Sequence, residues 1–298
     1  MKTRRCLFVL LLGPLALCGF AAHAGERDKG EDKEKEKVDT EFIFGFTEGA
    51  DVGEVGEKEL ELQTIANLAK RNGHYAATAF DLRYEQAPFE NFRFEFGGLL
   101  DSHSIGGVAG LDDRRQIAFN GLVTQMRYRL LDREHAPFAL TVGVEPHWSR
   151  VDETSGAGAD NYGGNIAVAL DREFIKDKVF GAVNVVYDPE VTRLREAGIW
   201  QRESTLGLLG SATTQLQPGI FAGAEARYLR KYDGVAAQSF AGEALFVGPT
   251  MFMRFSKTFA ISGSWGVQVA GHAVADPGTL DLTNFTRHQA TLRIEYNF

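Results

Sequence analysis

The residues whose spacing first suggests chemistry are His147-Trp148-Ser149. Two apart on a strand, a histidine and a serine share one face, so the imidazole can act as a base toward the hydroxyl. Asn161 follows downstream and could orient the ring, completing a nucleophile, a base and a group that fixes the base. Asn161 falls, however, in a glycine-rich stretch that reads as loop, and the simpler reading is polar residues near a strand end. The other histidines after residue 24 (His74, His103, His135, His272 and His288) are scattered singly. No pair has the spacing of a structural or catalytic metal site. Asp112-Asp113, Asp152-Glu153 and Asp160 could hold a divalent cation but lack the ligand pattern of a calcium loop. Gly106-Gly107 and Gly156 to Gly158 open no helix, so no phosphate cradle is implied. Nothing calls for a cofactor, and the chain does not read as an enzyme.

A second set of residues suggests selection rather than catalysis. Arg83, Arg127, Arg129, Arg227 and Arg293 are set against Glu95, Glu145, Glu225 and Glu243, each on the polar parity of an alternating segment. If that parity faces an enclosed bore, such charges are tolerable only when paired or hydrated. They then either form a ladder of ion pairs that plugs the bore or line a wet path that selects solutes by size and charge.

The segments that carry these charges alternate with period two. Strands are expected near 59–70, 75–86, 90–102, 117–131, 137–149, 164–175, 179–188, 203–216, 219–231, 238–250, 251–271 and 287–298. One parity is apolar (Phe80, Leu82 and Tyr84; Phe92, Phe94 and Phe96; Phe259, Ile261 and Trp265), and Tyr and Trp residues sit near strand ends. Gln86 to Pro88, Asp132 to Pro137, Lys176 to Lys178, Gln217 to Gly219 and Ser256 to Thr258 are short connections. Mostly longer ones fall between them: Ser102 to Gln116, Arg150 to Gly163, Asp188 to Arg202 and Gly271 to Thr286. This alternation in phase is the rule for a membrane barrel, and a soluble sandwich has no reason to keep it.

The N-terminus points to the cell envelope. Lys2, Arg4 and Arg5 precede an apolar run from Leu7 to Leu17, and Ala22-His23-Ala24 supplies a small-residue cleavage pattern, so residues 1–24 read as a signal peptide. A lipoprotein reading at Cys18 would put Leu17 where a small residue belongs. Both cysteines, Cys6 and Cys18, lie in this stretch, which excludes disulfides and thiolate sites beyond it. Its removal takes away three cations and no acid, moving the formal charge from −8 to −11. That charge argues against nucleic acid as a partner. Residues 25–40 are almost wholly charged and read as a disordered periplasmic leader.

The last segment, His288 to Phe298, places Ala290, Leu292, Ile294, Tyr296 and Phe298 on one face and Gln289, Thr291, Arg293, Glu295 and Asn297 on the other. It resembles the closing strand of bacterial outer-membrane β-barrels, in which a terminal Phe is read by the barrel-assembly machinery. His147-Trp148-Ser149 with Asn161 is similar to the constellation of outer-membrane phospholipases, but the surrounding family motif is missing. Its parity also faces away from lipid. Glu41 to Glu61, with Phe42, Phe44, Phe46 and a run of Gly and Glu, resembles the approach to the first strand in the phenol-degradation MetA-pathway family. That resemblance implies a channel for small, aromatic or apolar compounds. The three phenylalanines either tuck inward at the periplasmic mouth or form a lead-in that only covers the barrel base, and the lead-in is the preferred reading.

The sequence thus predicts an all-β fold, a transmembrane antiparallel up-and-down barrel of about twelve strands over residues 41–298. It would sit in the bacterial outer membrane, with lipid, lipopolysaccharide and a small solute as partners. Passive passage is the expected function. A non-conducting structural or adhesive barrel acting through its loops is the alternative, and a phospholipase-like enzyme a remote one.

Overall fold

The computed structural model describes residues 38–298; the expected signal peptide and the leader up to Lys37 lie outside them. Twelve strands follow in order: β1 (Lys58–Leu68), β2 (His74–Phe89), β3 (Phe92–Gly106), β4 (Arg114–Leu131), β5 (Ala139–Val151) and β6 (Gly158–Ile175), then β7 (Val179–Leu194), β8 (Trp200–Gln217), β9 (Ile220–Asp233), β10 (Ser239–Arg254), β11 (Phe259–Ala273) and β12 (His288–Asn297). Each pairs antiparallel with its sequence neighbours, and β12 returns to β1 to close the barrel. At that seam Leu62 faces Ile294 and Leu60 faces Tyr296. Closure leaves no free edge, so every ladder amide finds a partner without water, as hydrocarbon requires.

Alternation decides what faces where. Leu82, Phe96, Ile166, Leu208, Trp265 and Leu292 point outward and remain exposed on the protein surface. A contiguous apolar belt of this kind is unstable in water and matches an outer-membrane barrel wall. Tyr84, Tyr296 and Phe298 cluster at the short-turn rim, with ring centroids 6.4 Å apart in both Tyr–Phe pairs. By the loop-length rule that rim is periplasmic. The opposite parity of each strand faces the bore and is buried, although it carries most of the charge.

The strands run further than alternation indicated at the external end. Much of the expected connections 102–116, 150–163 and 188–202 is paired strand, leaving loops of 107–113, 152–157 and 195–199. Polar residues there stand above the apolar belt, where the outer face meets water and the two-residue hydrophobic signal fades. Asn161, read as loop, is on β6 directly opposite Ser149 of β5. Loop 274–287 keeps its expected length, and its Asp281 and Phe285 are buried.

The preferred lead-in reading of residues 41–58 does not hold, because the segment enters the barrel. Gly49 N donates to Glu41 O at 2.9 Å, closing residues 41–49 into a compact loop. Ile43 and Phe44 pack with Phe180, Phe221, Phe252 and Ala260 on the inner wall of β7, β9, β10 and β11. The rings of Phe180 and Phe221, and of Phe221 and Phe252, meet edge-on at 5.9 and 6.1 Å. Burying Ile43 and Phe44 contributes about 2 kcal/mol each. Gly45 sits at the tip with φ +92°, where a Cβ would lie 2.7 Å from Ser264 Cβ and 2.9 Å from Thr250 Cγ2. Thr40, within the expected leader, is fully buried as part of the same insertion.

Candidate functional site: a plugged, charged lumen

Charge complementarity seats the inserted segment. Residues 38–57 carry Asp39, Glu41, Glu48, Asp51, Glu54 and Glu57 and no basic residue. Arg93 and Arg127 face each other across β3 and β4, a repulsive placement if left alone. The Glu41 carboxylate bonds to both, one oxygen to each guanidinium. Arg127 Nη2 also donates to Gly49 O at 2.6 Å. Arg133, in the β4–β5 turn, holds Asp51 and donates to Val38 O at 2.7 Å. Burial works against the Arg133 charge, but Asp51 and Asp171 outweigh it and hold the guanidinium pKa above its usual value. The Glu225 side chain accepts from Thr47 Oγ1 at 2.7 Å, and the Arg227 guanidinium lies 3.6 Å from the Phe46 ring centre. Arg293 stacks 4.0 Å from Phe42 and is 3.0 Å from Glu61.

Above this plug lies a cavity of about 500 Å³. Its floor includes Phe42, Phe46 and Glu48 of the plug, and its upper lining reaches Asp152, Glu153 and Thr154 of the β5–β6 loop. The lining holds ten carboxylates against four fixed cations, Arg83, Arg227, Lys231 and Arg293. Those cations are engaged. Arg83 spans Asp81, Glu95 at 3.1 Å and Glu145 at 2.7 Å. Lys231 pairs with Glu203, while Arg227 Nε is 3.7 Å from Glu225. The acidic surplus therefore faces the cavity.

The residues proposed from sequence as lining the lumen divide as follows. Arg83, Glu95, Arg127, Arg129, Glu145, Glu225, Arg227 and Arg293 point into the bore, where all except Glu145 and Arg129 are nearly fully buried. Arg129 serves the plug, 3.4 Å from Asp51. Glu243 is a correction, since it points out of the barrel. Ala244 and Phe246 take the inner parity of β10 to meet Phe285 of the long loop, which turns Glu243 outward. There it accepts from Tyr228 Oη at 2.5 Å and lies 3.6 Å from Arg230 Nε. Sequence reasoning missed Phe180, Phe221 and Phe252, which break the polar parity at the periplasmic end. The signal was present as consecutive apolar residues in Val179-Phe180, Ile220-Phe221 and Met251-Phe252-Met253.

His147, Ser149 and Asn161 do converge, on the luminal wall. His147 Nε2 faces Glu190 Oε1 at 3.6 Å rather than Ser149, whose hydroxyl is buried without a hydrogen-bond partner. A nucleophile here has no base on it and no route to lipid. The acidic residues expected in loops are used locally: Asp113 Oδ1 accepts from Gly107 N, Asp152 Oδ1 from Ser155, and Asp160, on β6, pairs with Arg195 at 2.6 Å.

A solved structure shares the fold, and others align over much of the chain. The COG4313 outer membrane channel from Pseudomonas putida F1 superposes over 84% of this chain and 98% of its own, with TM-score 0.57 and 16% identity. The NanC porin covers 80% and 98% at TM-score 0.45 and 13% identity. The KdgM porin in complex with disordered oligogalacturonate covers 80% and 99% at TM-score 0.43 and 11% identity. No curated protein matches the sequence. One family model spans residues 36–298, the whole barrel and its inserted segment, and the chain belongs to that family, a family of unknown function (DUF6662).

Proposed function

We propose that the protein is a small-solute channel of the outer membrane, closed at its periplasmic end by its own N-terminal segment and biased toward cations by the chamber above. The observation that carries this reading is the acid-rich cavity of about 500 Å³ between the plug and the external loops. A volume of this size accommodates a small molecule. A ring of carboxylates around a pore raises the local concentration of cations. The wall fits this role better than a solid ion-pair core, because the carboxylates outnumber the cations that could neutralise them.

The alternative, a non-conducting barrel that acts through its loops, is favoured by one observation, the occupied base. Planar-bilayer recording of the refolded protein under a KCl gradient separates the two. The channel reading expects discrete openings with cation preference, larger and more frequent when residues 38–57 are deleted. Silence from both the intact and the deleted protein, each shown to be folded, would leave the structural reading standing and remove the channel.

A further inference from the structure

The register of β5 to β9 stacks the chamber wall in rungs. One rung reads Glu145, Asn165, Asp188, Thr205, Lys231. The rung on its external side holds His147, Gly163, Glu190 and Glu203. The rung on its periplasmic side is apolar: Gly143, Ala167, Val186, Gly207 and Leu229. Gly207 has no side chain, and a Cβ there would meet Val186 Cγ2 at 2.5 Å and Leu229 Cδ2 at 3.0 Å. An aliphatic strip thus runs beside a strip of carboxylates.

Two acceptors on this wall lack a cation. Asp188 accepts from Asn165 Nδ2 at 2.5 Å and makes no ion pair among the described residues. Asn161, only 3% exposed, lines the chamber, with Nδ2 2.9 Å from Thr192 Oγ1 and Oδ1 buried without a partner. On the far wall, Asp81 Oδ1 is likewise buried and without a partner. A single metal ion does not suit these groups. Among the described residues, only Asp132, Glu134 and His135 bring three ligand atoms within 4.8 Å of one another, and they lie at the β4–β5 turn. Spread acceptors beside an aliphatic strip call for a cation whose donors are themselves spread along a hydrocarbon chain.

We infer that the chamber binds small aliphatic amines, with ammonium groups on Asp188 and Glu190 and methylenes on Val186 and Leu229. The inference rests on reading the chamber as the solute-facing part of the channel and names the class of solute it holds.

Calorimetric titration of the refolded protein with putrescine and with spermidine tests it, since binding is read without any need for current. Butane-1,4-diol, which keeps the chain and lacks the charge, serves as the neutral control. Saturable binding of the amines and none of the diol is expected. Asp188→Asn combined with Glu190→Gln should weaken it about tenfold for each carboxylate removed, the usual scale for a hydrogen bond to a charged group. Glu243→Gln, on the outer wall, should leave it unchanged. Absence of amine binding by the folded protein, or equal loss in the outer-wall variant, would overturn the inference. Amine binding from a barrel that stays silent even without residues 38–57 would sink the channel reading instead and leave the amine site in place.

Discussion

Glu41 is the residue on which retention of the plug should depend most. Its side chain is 1% exposed and bonds to Arg93 and Arg127, which are 6% and 3% exposed. Removing one partner of a buried ion pair costs about 3–5 kcal/mol, because the remaining charge is left uncompensated. The lower figure applies here. Arg93 keeps Glu85 and Glu95, and Arg127 keeps the Gly49 carbonyl. About 3 kcal/mol corresponds to roughly a hundredfold rise in the released fraction of the segment in Glu41→Gln. The chain has no cysteine beyond Cys18, so a single reporter thiol can read that fraction. Ala50 is fully buried in the plug, and cysteine is a small enough hydrophobe to replace it. In Ala50→Cys, maleimide labelling of the folded barrel requires release and tracks its equilibrium when reclosing is fast. Adding Glu41→Gln should accelerate labelling about a hundredfold. A rate within threefold of the parent would refute the claim that this ion pair holds the plug, and labelling as fast as an exposed thiol in both proteins would refute the docked state itself.

The same reporter should respond to Gly45→Val, where both the positive φ and the contacts with Ser264 and Thr250 oppose a side chain; about 1–3 kcal/mol of strain predicts labelling at least several-fold faster. On the outer wall, Leu208→Arg puts a charge on the lipid face at mid-strand and should lower barrel stability in a urea titration by about 2–4 kcal/mol, while the same change in a loop should not. Ser149→Ala removes a buried hydroxyl with no partner, so denaturation midpoints should stay the same or rise slightly. Lipid hydrolysis by the wild type that disappeared in this variant would instead revive a catalytic role for the His147 wall.

Much of the barrel was legible because hydrocarbon imposes a simple code: one apolar parity about ten residues long, interrupted by turns. The code failed where its cause was absent. Above the membrane the outer parity of β6, β7 and β8 meets water and the inner one is buried but polar, so Asn161 and Thr192 carried no strand signal although both are paired. Glu243 was misassigned because Ala241-Gly242-Glu243-Ala244-Leu245-Phe246 is nearly apolar on both parities, and only contact with Phe285 decides which one turns inward. The plug was half legible. The spacing of Phe42, Phe44 and Phe46 marked a packed segment, but its depth depended on inward aromatics of β7, β9 and β10. Those had to be recognised as violations of the polar parity. Which luminal charges pair was not legible at all, since Arg93 and Glu41 are joined only through closure of the whole barrel.

The plug also sets where charge is free in the bore. Residues 38–57 bring only carboxylates, and the wall they cover supplies Arg93, Arg127, Arg129, Arg133 and Arg293. With the segment docked its carboxylates complete the pairing of these arginines, beside wall carboxylates such as Glu61 and Glu85. With it removed, five guanidiniums lose part or all of their pairing, and the periplasmic end, where the wall keeps Glu59, Glu61, Glu85, Glu95 and Glu295, becomes less acidic than before. Such a path favours cations less strongly at that end, because arginines released from the segment face the conduction path. Deleting residues 38–57 should therefore do more than raise conductance. Reversal potentials in a KCl gradient should move toward the anion side relative to the openings of the intact protein, and the shift should shrink at high salt as the Debye length falls to about 3 Å at 1 M. A deletion protein that conducts well and stays as cation-selective as the intact channel would mean that the plug does not neutralise these arginines on the conduction path, and that the permeating ion follows the chamber wall alone.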